Sequence, residues 1–198
     1  MTKGFICMIA LLLISSSLKA QGRTGAQIIR GGLVKIAIHS GPSYFFASSS
    51  VSTNVGGELE VYLSKRVSVR GDLSFNIPSA QSLKTVVHNH SLYWGFSYHM
   101  PYKKLDFLLG LQPGVSVVQG YKEDGSLTKI QAIPVITALG GCQIYFSRFF
   151  HCYVLARFVT GTYFSNAEKY LNMNELRFMV GAGFNINMVS LKKRPIEG

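Results

Sequence analysis

The chain has 198 residues, enough for one domain, with 47% hydrophobic residues, a mean hydropathy of +0.23 and a net charge of +11. Beyond the N-terminal run no stretch offers the ~18 unbroken apolar residues that a membrane-crossing helix needs, which argues against a helical membrane protein. The basic residues gather on no single helix or stripe, which argues against nucleic acid as the partner.

Lys3, the apolar run over 5–14, Ser15-Ser16-Ser17 and Leu18-Lys19-Ala20 read as the three regions of a secretory signal cut after Ala20. The run is too short to span a bilayer. Cys7 lies inside it, so no cysteine stands at the mature start to accept a lipid. Removing Lys3 and Lys19 takes the 20 basic residues to 18 against 9 acidic ones, a balance of +9. For an exported chain the anionic partner nearest to hand is a lipid headgroup.

Residues 21–32 are polar, Gly-rich and aperiodic, and read as a mobile periplasmic lead-in. From there the hydropathy alternates with the period of two that a strand imposes. The first predicted strand covers 33–40, with Val34, Ile36 and Ile38 on one face and Lys35, Ala37 and His39 on the other, and extends toward Phe46 past Gly41-Pro42. A Ser-rich loop over 47–54 leads to a second strand, 55–63, with Glu58 and Glu60 inward. Ser64-Lys65-Arg66 turns the chain into a third strand, 67–77, with Arg70 and Asp72 inward. After a polar loop, 78–89, comes SLYWGFSYHM, residues 91–100. Here Leu92, Trp94, Phe96, Tyr98 and Met100 form one apolar face and Ser91, Tyr93, Gly95, Ser97 and His99 the other. A turn at 101–104 opens a fifth strand, 105–119, with Asp106 and Gln112 inward, followed by a loop over 120–127 containing Glu123-Asp124-Gly125. The sixth strand, 128–146, is apolar on both parities, and Pro134 predicts a bulge or register irregularity in it. Ser147-Arg148 turns into a seventh strand, 149–163, with Arg157 inward. After a polar loop over 164–173, the eighth puts Leu176, Phe178, Val180, Ala182, Phe184, Ile186 and Met188 outward and Arg177, Gly181, Gly183, Asn185 and Asn187 inward.

An even strand count, with short turns alternating with longer loops behind an export signal, predicts an all-β fold: an eight-stranded antiparallel up-and-down transmembrane β-barrel. The division expected is signal 1–20, lead-in 21–32, barrel 33–188 and a basic periplasmic tail 189–198. Leu92, Trp94, Phe96, Tyr98 and Phe184 would face lipid.

The inward set contains Lys35, Glu58, Glu60, Arg70, Asp72, Asp106, Arg157 and Arg177. Unpaired charges inside a small barrel cost several kcal/mol each, and the mixed signs point to a salt-bridge network. An eight-stranded barrel has room for packed side chains or one small ligand, so a plugged lumen is favoured over a gated ion path. Arg23, Arg30, Lys65, Arg66, Lys103, Lys104, Arg148, Lys192, Lys193 and Arg194 fall at the predicted periplasmic end, and Glu123, Asp124 and Glu168 in external loops. That asymmetry suits anionic lipid, or is simply a solvated rim.

Cys142 and Cys152, equidistant from residue 147, are expected as direct cross-strand neighbours on the lipid face, either a disulfide or, preferred, two small apolar residues. His88-x-His90 would place two rings on one face, but with no third ligand in view no metal or other cofactor is expected. The adjacent pairs His39-Ser40 and His90-Ser91 point to opposite faces, wrong for a nucleophile and its base, and no G-x-S-x-G stands out, so an enzyme is not expected.

The pattern resembles the small outer-membrane β-barrel domain family and, more loosely, the eight-stranded OmpA/OmpX-type barrels. The resemblance runs over residues 33–188 and rests on the signal ending before Gln21, the hairpin GGELEVYLSKRVSVRGDLSF over 56–75, and the glycine-rich last strand. Gly181, Phe184 and Ile186 match a Gly-x-x-aromatic-x-hydrophobic insertion signal. The chain departs from that pattern in continuing for ten residues past Met188 and in lacking a peptidoglycan-binding domain. The resemblance implies an outer-membrane location, with outer-membrane lipids and the outer-membrane assembly machinery as partners. It also implies a structural or surface-interaction role toward an unidentified surface or periplasmic partner. Two alternatives stay open: a barrel enzyme modifying outer-membrane lipids, and a soluble periplasmic lipid-binding barrel with every face reversed.

Overall fold

A computed structural model describes residues 29, 31–77, 86–120, 126–164 and 170–188. The predicted signal, most of the lead-in and the basic tail lie outside the described residues. The strands are β1 (Leu33–Phe45), β2 (Ser50–Tyr62), β3 (Val67–Ile77), β4 (Val86–Tyr102), β5 (Leu105–Gly120), β6 (Gln131–Tyr145), β7 (Phe150–Phe164), β8 (Tyr170–Asn172) and β9 (Glu175–Asn187). All pairings are antiparallel. Sequential hairpins run from β1 to β7, β9 pairs with β7, and β9 pairs back onto β1, so eight strands close into a ring. The three-residue β8 lengthens the far end of β7.

Closure makes the strand period of two a distinction between inside and outside. In β3 the burial alternates residue by residue, with Ser68, Arg70, Asp72, Ser74 and Asn76 buried and Val69, Leu73, Phe75 and Ile77 exposed. The same alternation holds around the ring. Outside, Trp94 is 50%, Phe96 64% and Leu111 64% exposed, while Lys35, Arg70 and Arg157 are 0% exposed inside. A water-soluble protein does not spread so many large apolar side chains over its surface. The arrangement is that of a barrel with a lipid-contacting belt. The reversed, soluble barrel is ruled out by the same parity, because Trp94, Phe96 and Phe184 point away from the interior.

Several expectations are corrected. The Ser-rich stretch over 47–54 is mostly strand: β2 begins at Ser50, and only 46–49 connect it to β1, with Ser49 at φ 46° closing the turn. The ladder continues because Ser52 and Asn54 have a polar interior to face. Pro134 causes no shift; it stands in register opposite Val115, and the β6–β7 ladder starts one residue later at Val135, so the proline has one paired neighbour to accommodate. The register irregularity that does occur lies between Val86 and His88. The lead-in does not end as a free segment: Ile29 is 1% exposed and packs with Leu33, Tyr62 and Tyr145 across one mouth of the barrel.

Cys142 and Cys152 are not opposite one another. Ser147 Oγ accepts from the amides of Phe149 and Phe150 at 3.1 Å, as Ser64 Oγ does from Arg66 and Val67 in the equivalent β2–β3 turn. This bend spans 146–149 and makes Tyr145↔His151 the last pair, so the hairpin centres one residue later than the sequence symmetry implied. Cys142 therefore pairs with Val154 and Cys152 with Ile144, and both thiols are free.

Candidate functional site

The polar parity of the strands converges inside the barrel in three stacked groups. At the mouth bounded by the tight turns, Lys35 bonds Glu60 and Gln143 and donates to the Tyr62 hydroxyl at 2.8 Å. His99 stands between two carboxylates, Nε2 2.9 Å from Glu60 Oε1 and Nδ1 2.7 Å from Asp106 Oδ2. Tyr62 donates to Asp106 Oδ2 at 3.0 Å, and Ser68 Oγ donates to Glu60 Oε1 at 2.5 Å.

In the middle, Arg70 on β3 pairs with Glu58 and with Asp72, the latter at 3.2 Å. Arg157 comes from β7, on the opposite wall of the ring, and reaches Asp72 Oδ1 at 2.9 Å. Gln112 closes this group, accepting from Arg157 at 3.0 Å and donating to Asp72 Oδ2 at 2.8 Å. Nearer the loops, Arg177 and Glu175 sit two apart on β9, hence on one face, and bond twice, at 2.6 and 2.7 Å. Arg177 also donates to Ser74 Oγ at 2.9 Å, and Asn89 donates to Glu175 at 3.1 Å, both across the barrel. Arg157 and Arg177 flank the fully buried Tyr93 ring, 4.7 and 5.6 Å from its centroid.

All eight charged residues singled out from the sequence thus lie inside, each within 3% exposure and in an ion pair. Of the residues that join them, Tyr62, Ser68, Tyr93, His99 and Gln112 fall on the inward parity read from the sequence but were not assigned to the network, and Glu175 was missed. Glu175 was recoverable, since an acid two residues before an inward Arg177 shares its face. The cross-barrel contacts were not, because strand stagger around the ring cannot be read from one strand at a time. Among the described residues the lumen holds four permanent cations, Lys35, Arg70, Arg157 and Arg177, against five acids, Glu58, Glu60, Asp72, Asp106 and Glu175. Each ring nitrogen of His99 faces a carboxylate, which ties the imidazole into the network on both sides.

Two arrangements invite a chemical reading. Ser68 Oγ lies 2.8 Å from His99 Nε2, and His99 Nδ1 2.7 Å from Asp106, the spacing of a Ser-His-Asp triad. Yet Ser68 also donates to Glu60, which competes for its proton, and Ser68, His99 and Asp106 are each 0% exposed, with no route for a substrate. His39, Glu58 and Asp72 bring potential metal-ligand atoms within 4.8 Å of one another. Arg70 holds both carboxylates and Arg157 holds Asp72, so a cation there would meet guanidinium charge first. Of the His-x-His pair, His90 lies beside Phe75 with ring centroids 5.4 Å apart; the His88 side chain is outside the described residues.

The inward glycines of β9 serve packing. A Cβ at Gly181 would run into the Tyr153 ring, and one at Gly183 into Ala37. On the outside, Leu92, Trp94, Phe96, Tyr98 and Phe184 are all exposed in the apolar belt. Of the predicted basic rim, Lys65, Arg66, Lys103, Lys104 and Arg148 are exposed at the tight-turn end, and the remainder lie outside the described residues.

No family model and no curated protein sequence matches the chain. Solved structures do. Neisserial surface protein A aligns with a TM-score of 0.62 at 11% identity, covering 79% of this chain and 98% of its own. The N-terminal β-barrel domain of OprF from Pseudomonas aeruginosa aligns at 0.58 and 16%, again covering 79% and 98%. Ail, the attachment invasion locus protein of Yersinia pestis, aligns at 0.54 and 12%, covering 79% and 99%. At such identities the likeness establishes the fold, which is that of the eight-stranded outer-membrane β-barrels.

Proposed function

We propose that this chain is an integral outer-membrane protein whose barrel is a sealed anchor, working as a structural or surface-interaction protein through its loops rather than as a channel or an enzyme. The observation that carries this reading is the lumen itself: side chains from opposite walls meet across it, Arg157 in an ion pair with Asp72 and Arg177 in a hydrogen bond to Ser74, and the large inward side chains of the eight ring strands are buried. An eight-stranded barrel filled in this way leaves no continuous water path. Its apolar belt supports a lipid setting, and the fold shared with outer-membrane barrels supports that membrane in particular.

The test is conductance in planar bilayers for the wild type and for Arg70→Ala and Arg157→Ala. A sealed anchor gives no discrete channel events in the wild type, and the variants lose stability without gaining conductance. Steady openings in the wild type that either variant alters would overturn the reading in favour of a gated path. An enzyme is the second reading on the Ser68–His99–Asp106 spacing alone, and it requires that the buried Ser68 become accessible. Labelling of the folded protein by a fluorophosphonate, abolished by Ser68→Ala, would establish it.

A further inference from the structure

The outer surface is not uniform. Between Phe96 and Tyr98 on β4 and Leu109 and Leu111 on β5 it sinks into a depression of about 540 Å³, floored by Gly110 and by the short Ala138 of β6. That volume lies within the roughly 300–1,000 Å³ usual for a bound small molecule. Its lining is almost wholly apolar and includes Val67, the first residue of β3. There the preceding residue, Arg66, points Nη1 at the Tyr98 hydroxyl, 3.4 Å away. Arg66 belongs to an exposed set, with Lys65, Lys103, Lys104 and Arg148, at the tight-turn end of the barrel. Every acidic side chain among the described residues, Glu58, Glu60, Asp72, Asp106 and Glu175, is buried in the lumen. The described rim therefore presents positive charge with no protein anion to answer it.

An apolar trough lined by Tyr98, whose hydroxyl meets the Arg66 guanidinium, fits an amphiphile with an anionic head. We propose that the β3–β6 face binds one anionic glycerophospholipid, an acyl chain lying over Gly110 and Ala138 and the phosphate held by Arg66 and the Tyr98 hydroxyl. The site rests on the membrane reading above and adds to it a particular lipid class at a particular place. It differs from general attraction to a charged surface in needing both the trough and one named arginine.

The experiment is native mass spectrometry of the full chain, delipidated in detergent and titrated with phosphatidylglycerol or phosphatidylcholine. Wild-type protein is expected to retain phosphatidylglycerol in preference to phosphatidylcholine. Arg66→Gln should lower that preference about fivefold, the worth of one basic residue at a membrane surface. Ala138→Phe, which fills the trough, should lower retention of both lipids. Arg148→Gln, equally basic but at the β6–β7 turn away from the trough, should change little. An equal fall for Arg66→Gln and Arg148→Gln, or undiminished retention by Ala138→Phe, would overturn the site. Heat-modifiable gel mobility separates the two levels: folded, embedded barrels without the preference refute the lipid site alone, whereas a chain that never gains that mobility in vesicles removes the membrane reading as well.

Discussion

Arg70→Met isolates what the lumen network contributes. Its guanidinium is the ion-pair partner of Glu58 and one of two for Asp72, which keeps Arg157 at 2.9 Å and Gln112 at 2.8 Å. The loss therefore falls mainly on Glu58, left without its ion-pair partner in a site that is 3% exposed. Stranding one member of a buried pair costs about 3–5 kcal/mol, and that is the destabilisation expected for Arg70→Met. Removing both charges strands neither, so Arg70→Met with Glu58→Gln should cost only about 1–2 kcal/mol, giving a coupling of roughly 2–3 kcal/mol in the double-mutant cycle. Urea unfolding of protein refolded into vesicles measures this, followed by fluorescence of Trp94, the chain's one tryptophan and a residue of the outer belt. The reasoning fails if Arg70→Met stays within about 1 kcal/mol of wild type, or if the double variant is destabilised by the sum of the two single changes.

Phe96→Arg should destabilise the vesicle-embedded barrel by about 2–4 kcal/mol, although the position is 64% exposed, because its surroundings are lipid; unfolding in vesicles checks this, and a neutral result would mean that the belt faces water. Gly181→Val should cost about 1–3 kcal/mol by driving a side chain into the Tyr153 ring, seen as a smaller fraction migrating in the folded form on unboiled gels; pairing it with Tyr153→Ala should recover part of the loss. Non-reducing mass spectrometry of protein cut after Ala20 should count two free thiols, since Cys142 and Cys152 are offset by two positions in the ladder; a mass lower by two hydrogens would contradict that register.

Face assignment was legible in the sequence because a strand's period is fixed: Lys35 against Ile36, Arg70 against Val69 and Trp94 against Tyr93 sort themselves once the phase is set. β6 was harder, since Ile133, Val135 and Leu139 are apolar and inward while Ile136 and Ile144 are apolar and outward. Its phase depends on neighbours rather than on its own pattern. Where β2 begins was hidden for a related reason: Ser50, Ser52 and Asn54 look like loop residues until a polar lumen gives them a face to occupy. The cysteine register turned on a single serine hydroxyl bonding two turn amides. The network's membership could be read strand by strand, but its wiring, Arg157 to Asp72 or Arg177 to Ser74, depends on stagger set only when the ring closes.

The pairing of β1 with β9 runs from Leu33↔Asn187 to Phe45↔Glu175 and joins the two ends of the domain in sequence. Until β9 exists the growing sheet has open edges at both sides, and an edge of that kind recruits other chains. A protein stopped before Glu175 would lose more than a strand: it would lack Arg177 and Glu175, and it would keep an unpaired β1 beside an unpaired β7 flank. Length quality control is therefore built into the topology. A copy stopped before β9 is an aggregation-prone sheet fit for proteolysis, and only a chain that reaches the end of β9 can close into a persistent ring in a membrane.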